Sequence, residues 1–471
     1  MTPRNLVLLL LALPVGGCVV GPNFTGPPPA VRTVQSSGFR RASPLATDIG
    51  PVSSRWWLAL KDSQLTQLID QGLASSPSVR EAQARLRVAR AALGESRAGL
   101  GPSGSVSAAA LSVHPPESGL GRLLSQGGGN PDIDFAGFDA TWELDLFGGR
   151  RRAIESSAAS AQASAAQLAD AQVELAADIA RAYFVLREGQ GQWALARAGR
   201  QVRTRALELT IQRRARGAAG DADVAQAHAD LDEGDARIAG ISEQVDQALD
   251  QIAILVGEAP GALDESLAKP AAVPAPPEVT PIGDPASLLR RRPDIRAAER
   301  RLAAGNAEVG RSVAQMFPTV SLNGAIGFSA SDPGALLSRS SFLGLGGPSL
   351  TWNILDYARI RARIHGAEAL RDADLAAYQR VVLGGLQDAE DSLSRYARQR
   401  DRLAVAEREA ESAARLLSIA KAQRAAGVLS DIDVAGVRLH DLQAQSVLLQ
   451  VRSSLMIDYV ALEKSLGLGW E

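Results

Sequence analysis

The chain has one cysteine, Cys18, among 471 residues, which excludes an intrachain disulfide and any cysteine-built metal cluster. Histidine is nearly as scarce. His114, His228, His365 and His440 lie far apart and without ligand-like spacing, so no metal site is expected. Neither sign of charge is in excess: 50 Lys plus Arg stand against 52 Asp plus Glu, and the arginines are dispersed along helical faces, which argues against a nucleic-acid partner. Phosphate loop, nucleophile elbow and dinucleotide fingerprint are all missing, so neither an enzyme nor a cofactor has residues to rest on. The leading apolar run, Leu6 to Leu13, is too short to span a bilayer. Proline is absent from residues 148 to 215 and again from 357 to 425.

Those two proline-free stretches are rich in Ala, Leu, Gln, Glu and Arg, all strong helix formers. At about 1.5 Å per residue each predicts a rod of roughly 100 Å, longer than an ordinary globular core can cover. Leu168, Leu175, Ile179, Leu186 and Trp193 follow spacings of seven and four, a coiled-coil seam. Ala158, Ala159, Ala161, Ala163, Ala165 and Ala166 lie among them; they permit close approach but bury little area each, so several helices must share the burial. Each rod runs into a turn and a returning helix. A shift of 210 lays Arg216 to Val224 on Ala426 to Val434, Leu255-Val256-Gly257 on Ser465-Leu466-Gly467, and Trp142 on Trp352. A constant shift over more than a hundred residues marks a tandem duplication.

Arg4, the apolar run and Val15-Gly16-Gly17-Cys18 predict a signal peptide over 1–17, with small residues before the cysteine as in a bacterial lipobox, where the cysteine is lipidated. Residues 18–55 read as an extended strap rich in Pro, Gly and Ser. The first repeat, 56–258, opens with Trp56-Trp57 and a helix from Asp62 to about Ala98; a proline-rich linker, 259–284, separates it from the second repeat, 285–471. After each leading helix the period changes to two. Phe138, Ala140, Trp142, Leu144 and Leu146 alternate with Asp139, Thr141, Glu143 and Asp145, while Val320, Leu322, Ile326 and Phe328 alternate with Thr319, Ser321, Asn323 and Ser329. Weaker strands are expected at 103–113 and 343–354, across Gly-, Pro- and Ser-rich loops at 114–133 and 331–342. Each repeat thus supplies one β-hairpin. Strands with one apolar and one polar face, in a secreted lipoprotein, fit a transmembrane barrel, and four cannot close one where single-chain barrels start at about eight. Two copies would give eight strands and three would give twelve, and spacing alone does not choose between them.

Val15-Gly16-Gly17-Cys18, Gly21-Pro22-Asn23-Phe24, Trp56-Trp57, Trp142 to Gly148, Gly257-Glu258-Ala259-Pro260-Gly261, Arg291 to Ile295, Phe317-Pro318 and the closing Leu466-Gly467-Leu468-Gly469-Trp470, in this order, resemble the TolC-like outer-membrane efflux factors in their lipoprotein, NodT-like branch. The resemblance covers nearly the whole chain. It implies a mainly α fold with a membrane β-barrel: duplicated helical hairpins forming a periplasmic α-barrel, and four strands per chain in a twelve-stranded barrel shared by a homotrimer. It also implies a periplasmic membrane-fusion adaptor and an inner-membrane RND-type transporter as partners, and, from Val19 after the cysteine, sorting of the lipid-anchored chain to the outer membrane. The turns carrying Gly217, Val224, Gly427, Ser430 and Val434 would be the periplasmic tips that meet the adaptor. The recurring Asp221, Asp223, Asp431 and Asp433 open the returning helices, where acidic residues act as caps. In the family the aspartates matching Asp223 and Asp433 line a closed, cation-binding entrance. One departure is Leu429, which stands where relatives carry an Arg partner for these acids, with Ala218, Ala219 and Val428 also apolar.

Three functions compete: a passive export duct in a drug-efflux assembly, the duct of a type I protein-secretion system, and a periplasmic coiled-coil lipoprotein without a pore. The last leaves the four alternating segments unexplained, and the lipobox favours the efflux branch over the secretion ducts, which commonly lack a lipid anchor. Cys18 is therefore expected to carry the acyl chains. Mass spectrometry of the purified protein should find them at the mature N-terminus and lose them in Cys18→Ser; an unmodified wild-type N-terminus upstream of Cys18 would disprove lipidation.

Overall fold

The computed structural model describes residues 19–27, 39–41, 54–112, 132–277, 282 and 285–470; Cys18, most of the strap and most of the first expected loop lie outside the described residues. In order the elements are α1 (Ser63–Ser75), α2 (Pro77–Ala98), β1 (Ser103–Ser112), β2 (Asp132–Leu144), α3 (Gly149–Ala215), α4 (Asp221–Val256), α5 (Asp264–Leu267), α6 (Pro285–Arg291), α7 (Pro293–Ala314), β3 (Thr319–Ala330), β4 (Phe342–Thr351), α8 (Tyr357–Ala425) and α9 (Asp431–Ser465). The two rods are single helices of 67 and 69 residues. No described helix is long and apolar enough to cross a membrane.

Three expectations need correction. The single helix anticipated from Asp62 to Ala98 is two, because Pro77 lacks the N–H that would continue α1 and forces Ser76 to an extended ψ of 134°. Strand β4 stops at Thr351 rather than 354, where Ile354 N donates to Trp352 O at 3.0 Å and begins a 3₁₀ turn over Ile354–Asp356. Trp193 leaves the coiled-coil seam: Leu175, Ile179 and Leu186 are buried, but Trp193 is exposed, with the Arg197 guanidinium 4.6 Å from its ring centroid.

The chain divides into two compact units. One combines residues 86–163 and 298–378 with the N-terminal segment and holds one antiparallel sheet in the order β1-β2-β3-β4. Cross-strand partners share a face, so the register turns the alternation of the sequence into two chemically distinct faces. Phe138 pairs with Ile326 and Trp142 with Leu322, giving an apolar row, and the Phe328 and Phe342 rings meet edge-on at 5.9 Å. On the opposite face Ser105 Oγ donates to Asp139 at 2.7 Å, Thr141 Oγ1 to Asn323 at 3.1 Å and Asn323 Nδ2 to Ser349 at 2.7 Å. The duplicated tryptophans anchor equivalent corners: Trp142 Nε1 donates to Leu100 O at 2.8 Å and Trp352 Nε1 to Met316 O at 3.1 Å.

The start of the strap is bolted into the same unit. Arg152 is 2% exposed; its Nε donates to Val20 O, and its Nη2 to Gly21 O and, at 2.7 Å, to Asn23 Oδ1. Gly21 is required there: its φ is +84°, and an added Cβ would sit 2.4 Å from Gly310 Cα.

The second unit combines 39–41, 54–85, 164–277, 282, 285–297 and 379–470 of the described residues. Its core gathers Leu65, Ile69, Ile179, Leu186, Ile252 and Val256 with the fully buried Trp57 and Tyr459. The linker is less irregular than its prolines suggest. It includes α5, and Leu267 is 1% exposed. Arg187, equally buried, holds this segment by donating to Lys269 O at 3.0 Å and also to Gln64 Oε1, with its guanidinium 4.8 Å from the Tyr183 ring centroid.

Within this core Glu463 of α9 is 3% exposed, and burial pushes its carboxyl up to about 8 despite a hydrogen bond with Tyr459. Burial also raises half-buried Asp170 to about 6, helped by Asp294 and Glu174. Both groups hold in the folded state a proton that the unfolded chain releases at ordinary carboxylate values, so each contributes a stability loss as pH rises, Asp170 up to about 6 and Glu463 up to about 8. Thermal unfolding in detergent should therefore show Tm falling from pH 6 to pH 8.5. Glu463→Gln should flatten that slope and, above pH 8, exceed the wild type by on the order of a few kcal/mol; an unchanged slope would place the titration elsewhere.

Candidate functional site

Each long helix ends in a reversal at a glycine. Gly217 and Gly427 have φ of +73° and +77°, the left-handed region that L side chains disfavour. Gly217 N donates to Arg214 O at 2.9 Å and Ala218 N to Arg213 O at 2.8 Å; Gly427 N and Val428 N repeat the pattern with Arg424 O at 3.0 Å and Gln423 O at 2.9 Å. These paired bonds are Schellman motifs, which satisfy the last carbonyls of α3 and α8. The turns therefore need no outside partner to form.

The returning helices start on extended residues, Gly220 and Ser430. Asp223 Oδ2 accepts from Gly220 N at 2.7 Å. Asp433 Oδ2 accepts from Ser430 N at 2.9 Å and from Ser430 Oγ at 2.6 Å, while Asp433 N donates back to Ser430 Oγ at 3.2 Å, a full capping box. Thus Asp223 and Asp433 cap α4 and α9, as their spacing suggested.

Asp221 and Asp431 do something different. Asp221 Oδ1 pairs with Arg214 Nε at 2.5 Å, and Asp431 receives Arg424 in two bonds, at 2.6 and 3.0 Å. Each pair crosses its own turn, from the last turn of the long helix to the first of the returning one. The Arg424 hydrogen bond holds the Asp431 carboxyl below the usual carboxylate range, with Arg205 adding to the effect. For Asp433 the Ser430 hydroxyl does most, the Ser430 backbone N–H follows, and Arg213 adds a weaker attraction. Asp431 and Asp433 are thus held ionised, each beside an arginine of its own chain.

All four aspartates are exposed, as are Ala218 and Val428, whereas Val224, Val434, Ala219 and Leu429 are half-buried. Leu429 supplies no cation, but Arg205, Arg213, Arg214 and Arg424 do. Arg214 and Arg424 reach their acids across their own reversals, while Arg205 and Arg213 act on acids of the other repeat, so only the tertiary geometry reveals the pairing, although Arg214 recurs at Arg424. Among the described residues no group of His, Cys, Asp and Glu is arranged to hold a metal ion.

Known proteins resemble the chain throughout. A family model described as outer membrane efflux protein matches residues 68–258 and 285–468. Nodulation protein T of Rhizobium leguminosarum bv. trifolii is 28% identical over 448 residues, covering 94% of this chain and 91% of that protein. Outer membrane protein OprJ of Pseudomonas aeruginosa is 28% identical over 475 residues, covering 98% of this chain and 95% of OprJ. Among solved structures the outer-membrane channel OprN aligns with a TM-score of 0.85 at 33% identity, over 96% of this chain and all of the other. The Campylobacter jejuni CmeC outer membrane channel aligns at 0.85 with 21% identity over 96% of both chains, a likeness of fold. The matched intervals fall on the two repeats and leave out the strap and the proline-rich linker, and the chain belongs to the outer membrane efflux protein family.

Proposed function

We propose that this chain is the outer-membrane duct of a tripartite drug-efflux assembly, built as a homotrimer and anchored by lipid at Cys18. The observation that carries the reading is the four-stranded sheet, in which, among the described residues, β1 pairs with β2 alone and β4 with β3 alone. A lipid-exposed sheet edge leaves backbone groups without partners, so the strands of other copies must complete the wall. OprJ and the antibiotic efflux pump outer membrane protein ArpC of Pseudomonas putida, 26% identical over 475 residues, support the efflux branch. On this reading a periplasmic adaptor meets the tips at Gly217 to Val224 and Gly427 to Val434, an RND-type transporter of the inner membrane supplies the energy, and the duct itself is passive.

The same assembly gathers Asp221, Asp223, Asp431 and Asp433 of every copy at the periplasmic end. Crowded carboxylates in a constriction attract cations, while the arginines beside them bind the turns together. The resting pore is then narrow and cation-preferring.

Native mass spectrometry and planar-bilayer recording test both statements. The expected outcome is three chains conducting weakly with a cation preference; a monomer without conductance would refute the shared barrel. Asp223→Ala with Asp433→Ala should weaken the preference and the block by multivalent cations while the oligomer persists. Intact trimers with both properties unchanged would reduce these aspartates to helix caps.

A further inference from the structure

The first compact unit holds a cavity of about 410 Å³ where the sheet meets α3 and α7. β2 ends beside it at Leu144 and β3 begins beside it at Thr319, while Arg150 of α3 and Arg311 of α7 line its helical side. Part of the lining is apolar: Phe147 and Pro318 face the cavity, and the Phe147 ring stacks on Phe317 at 4.7 Å. With the sheet as membrane wall, this is the level at which the wall ends.

The strap marks the same level. Val20 N donates to Phe147 O at 3.2 Å, and a Cβ on Gly148 would lie 2.9 Å from Val19 Cα. Consecutive Cα atoms are about 3.8 Å apart, so acyl chains carried by Cys18 enter the leaflet within about one residue of this corner. Lipids of that leaflet therefore present their headgroups to the cavity.

Its charged groups are only partly spent. Arg150 Nη2 donates to Glu143 Oε2 at 2.6 Å, which leaves Glu143 Oε1 without a donor among the described residues and Arg150 with donors to spare. Arg311 Nε reaches Glu308 at 3.4 Å, and its two terminal nitrogens hold no carboxylate among the described residues. The two arginine side chains are 45% and 50% exposed, so a ligand can reach them. Asp145, by contrast, is consumed by the start of α3: it accepts from Arg150 N at 2.9 Å and from Arg151 N and Nε, both at 3.0 Å. What remains is two guanidiniums and one carboxylate oxygen beside an apolar surface. Guanidiniums suit a phosphate diester, a carboxylate oxygen accepts from an ammonium, and the apolar lining takes the first methylenes of an acyl chain. We propose that the cavity binds one amine-bearing zwitterionic phospholipid per chain, its phosphate on Arg150 and Arg311 and its ammonium on Glu143 Oε1. The proposal rests on the outer-membrane duct reading and adds a bound lipid distinct from the covalent anchor.

Native mass spectrometry of the full-length protein, delipidated in detergent and titrated with single synthetic lipids, tests the site. Phosphatidylethanolamine should add up to one molecule per chain. Phosphatidylglycerol, which has no amine, and phosphatidylcholine, whose quaternary nitrogen has no N–H, should each bind about tenfold more weakly, the worth of one charge-assisted hydrogen bond. Arg311→Gln should weaken phosphatidylethanolamine by a similar factor, and Glu143→Gln should erase the preference for the amine. Ala153→Leu, at a residue lining the cavity, should expel the lipid without changing any charge. Arg85→Gln, in an exposed pair with Glu81 on α2, should leave binding as it was. Equal binding of the three lipids, or wild-type binding by both Arg311→Gln and Ala153→Leu, overturns the site. Planar-bilayer recording of the same samples separates the two ideas: an oligomer that conducts yet takes no phosphatidylethanolamine overturns the lipid site alone, whereas a monomer without conductance overturns the duct and the site with it.

Discussion

The outer edges of β1 and β4 set the terms for the rest of the molecule. Each presents a row of backbone N–H and C=O groups with no strand beside it among the described residues. In water such an edge can be solvated. In the hydrocarbon of a membrane every unsatisfied group costs several kcal/mol, so a sheet of four strands is only a piece of wall. The helices repeat the condition. Of the rods of 67 and 69 residues, α8 leaves Val405, Leu416 and Ile419 exposed.

Duplication makes this incompleteness economical, because one hairpin design serves twice, but the two repeats do not have equal duties. Arg152 and Arg187 show where they part. Each is an almost fully buried guanidinium, each is kept by backbone carbonyls and side-chain oxygens, and each holds a non-repeated segment: Arg152 the start of the strap, Arg187 the linker around Leu267. The carbonyls that accept from each buried guanidinium commit the captured segment to one path, although Arg187 Nε is left without an acceptor. At the positions 210 residues further on stand Ala362 and Ala397, and the second repeat holds the strap by other means: Glu390 of α8 accepts from Arg40 N and Arg41 N, both at 2.9 Å.

The tips follow a similar logic at smaller scale. The Schellman turns recur in both repeats, and in each the aspartate three residues on accepts from the N-cap backbone, though only Ser430 adds a side-chain cap, so the reversals are self-contained. The arginines that cross each turn convert what looks like a cluster of acids into matched pairs, and only Asp223 and Asp433 remain engaged by neutral donors. Arg213, which adds to the field at Asp433, has no cationic counterpart in the second repeat. The two turns are alike in backbone and unlike in charge.

The sequence by itself determined the long helices, the reversals at Gly217 and Gly427, the two-faced strands and the duplication, because each depends on local propensity and on periodicity along the chain. It located the four aspartates and Cys18 as well, though Cys18 lies outside the described residues. Its errors were local contests decided by a single residue, as where Pro77 split a periodic stretch into α1 and α2, or where Trp193 kept the heptad spacing but turned outward under Arg197. Tertiary structure alone decided what each charge is for. Arg152 and Arg187 are ordinary helix residues in the sequence, and their burial depends on segments up to 132 positions away. Which aspartate caps and which forms an ion pair was settled by the turn between them, and Gly191 acquires meaning only once Leu449 is seen lying on its bare Cα. Periodicity identifies faces; partners are chosen by packing between elements distant along the chain.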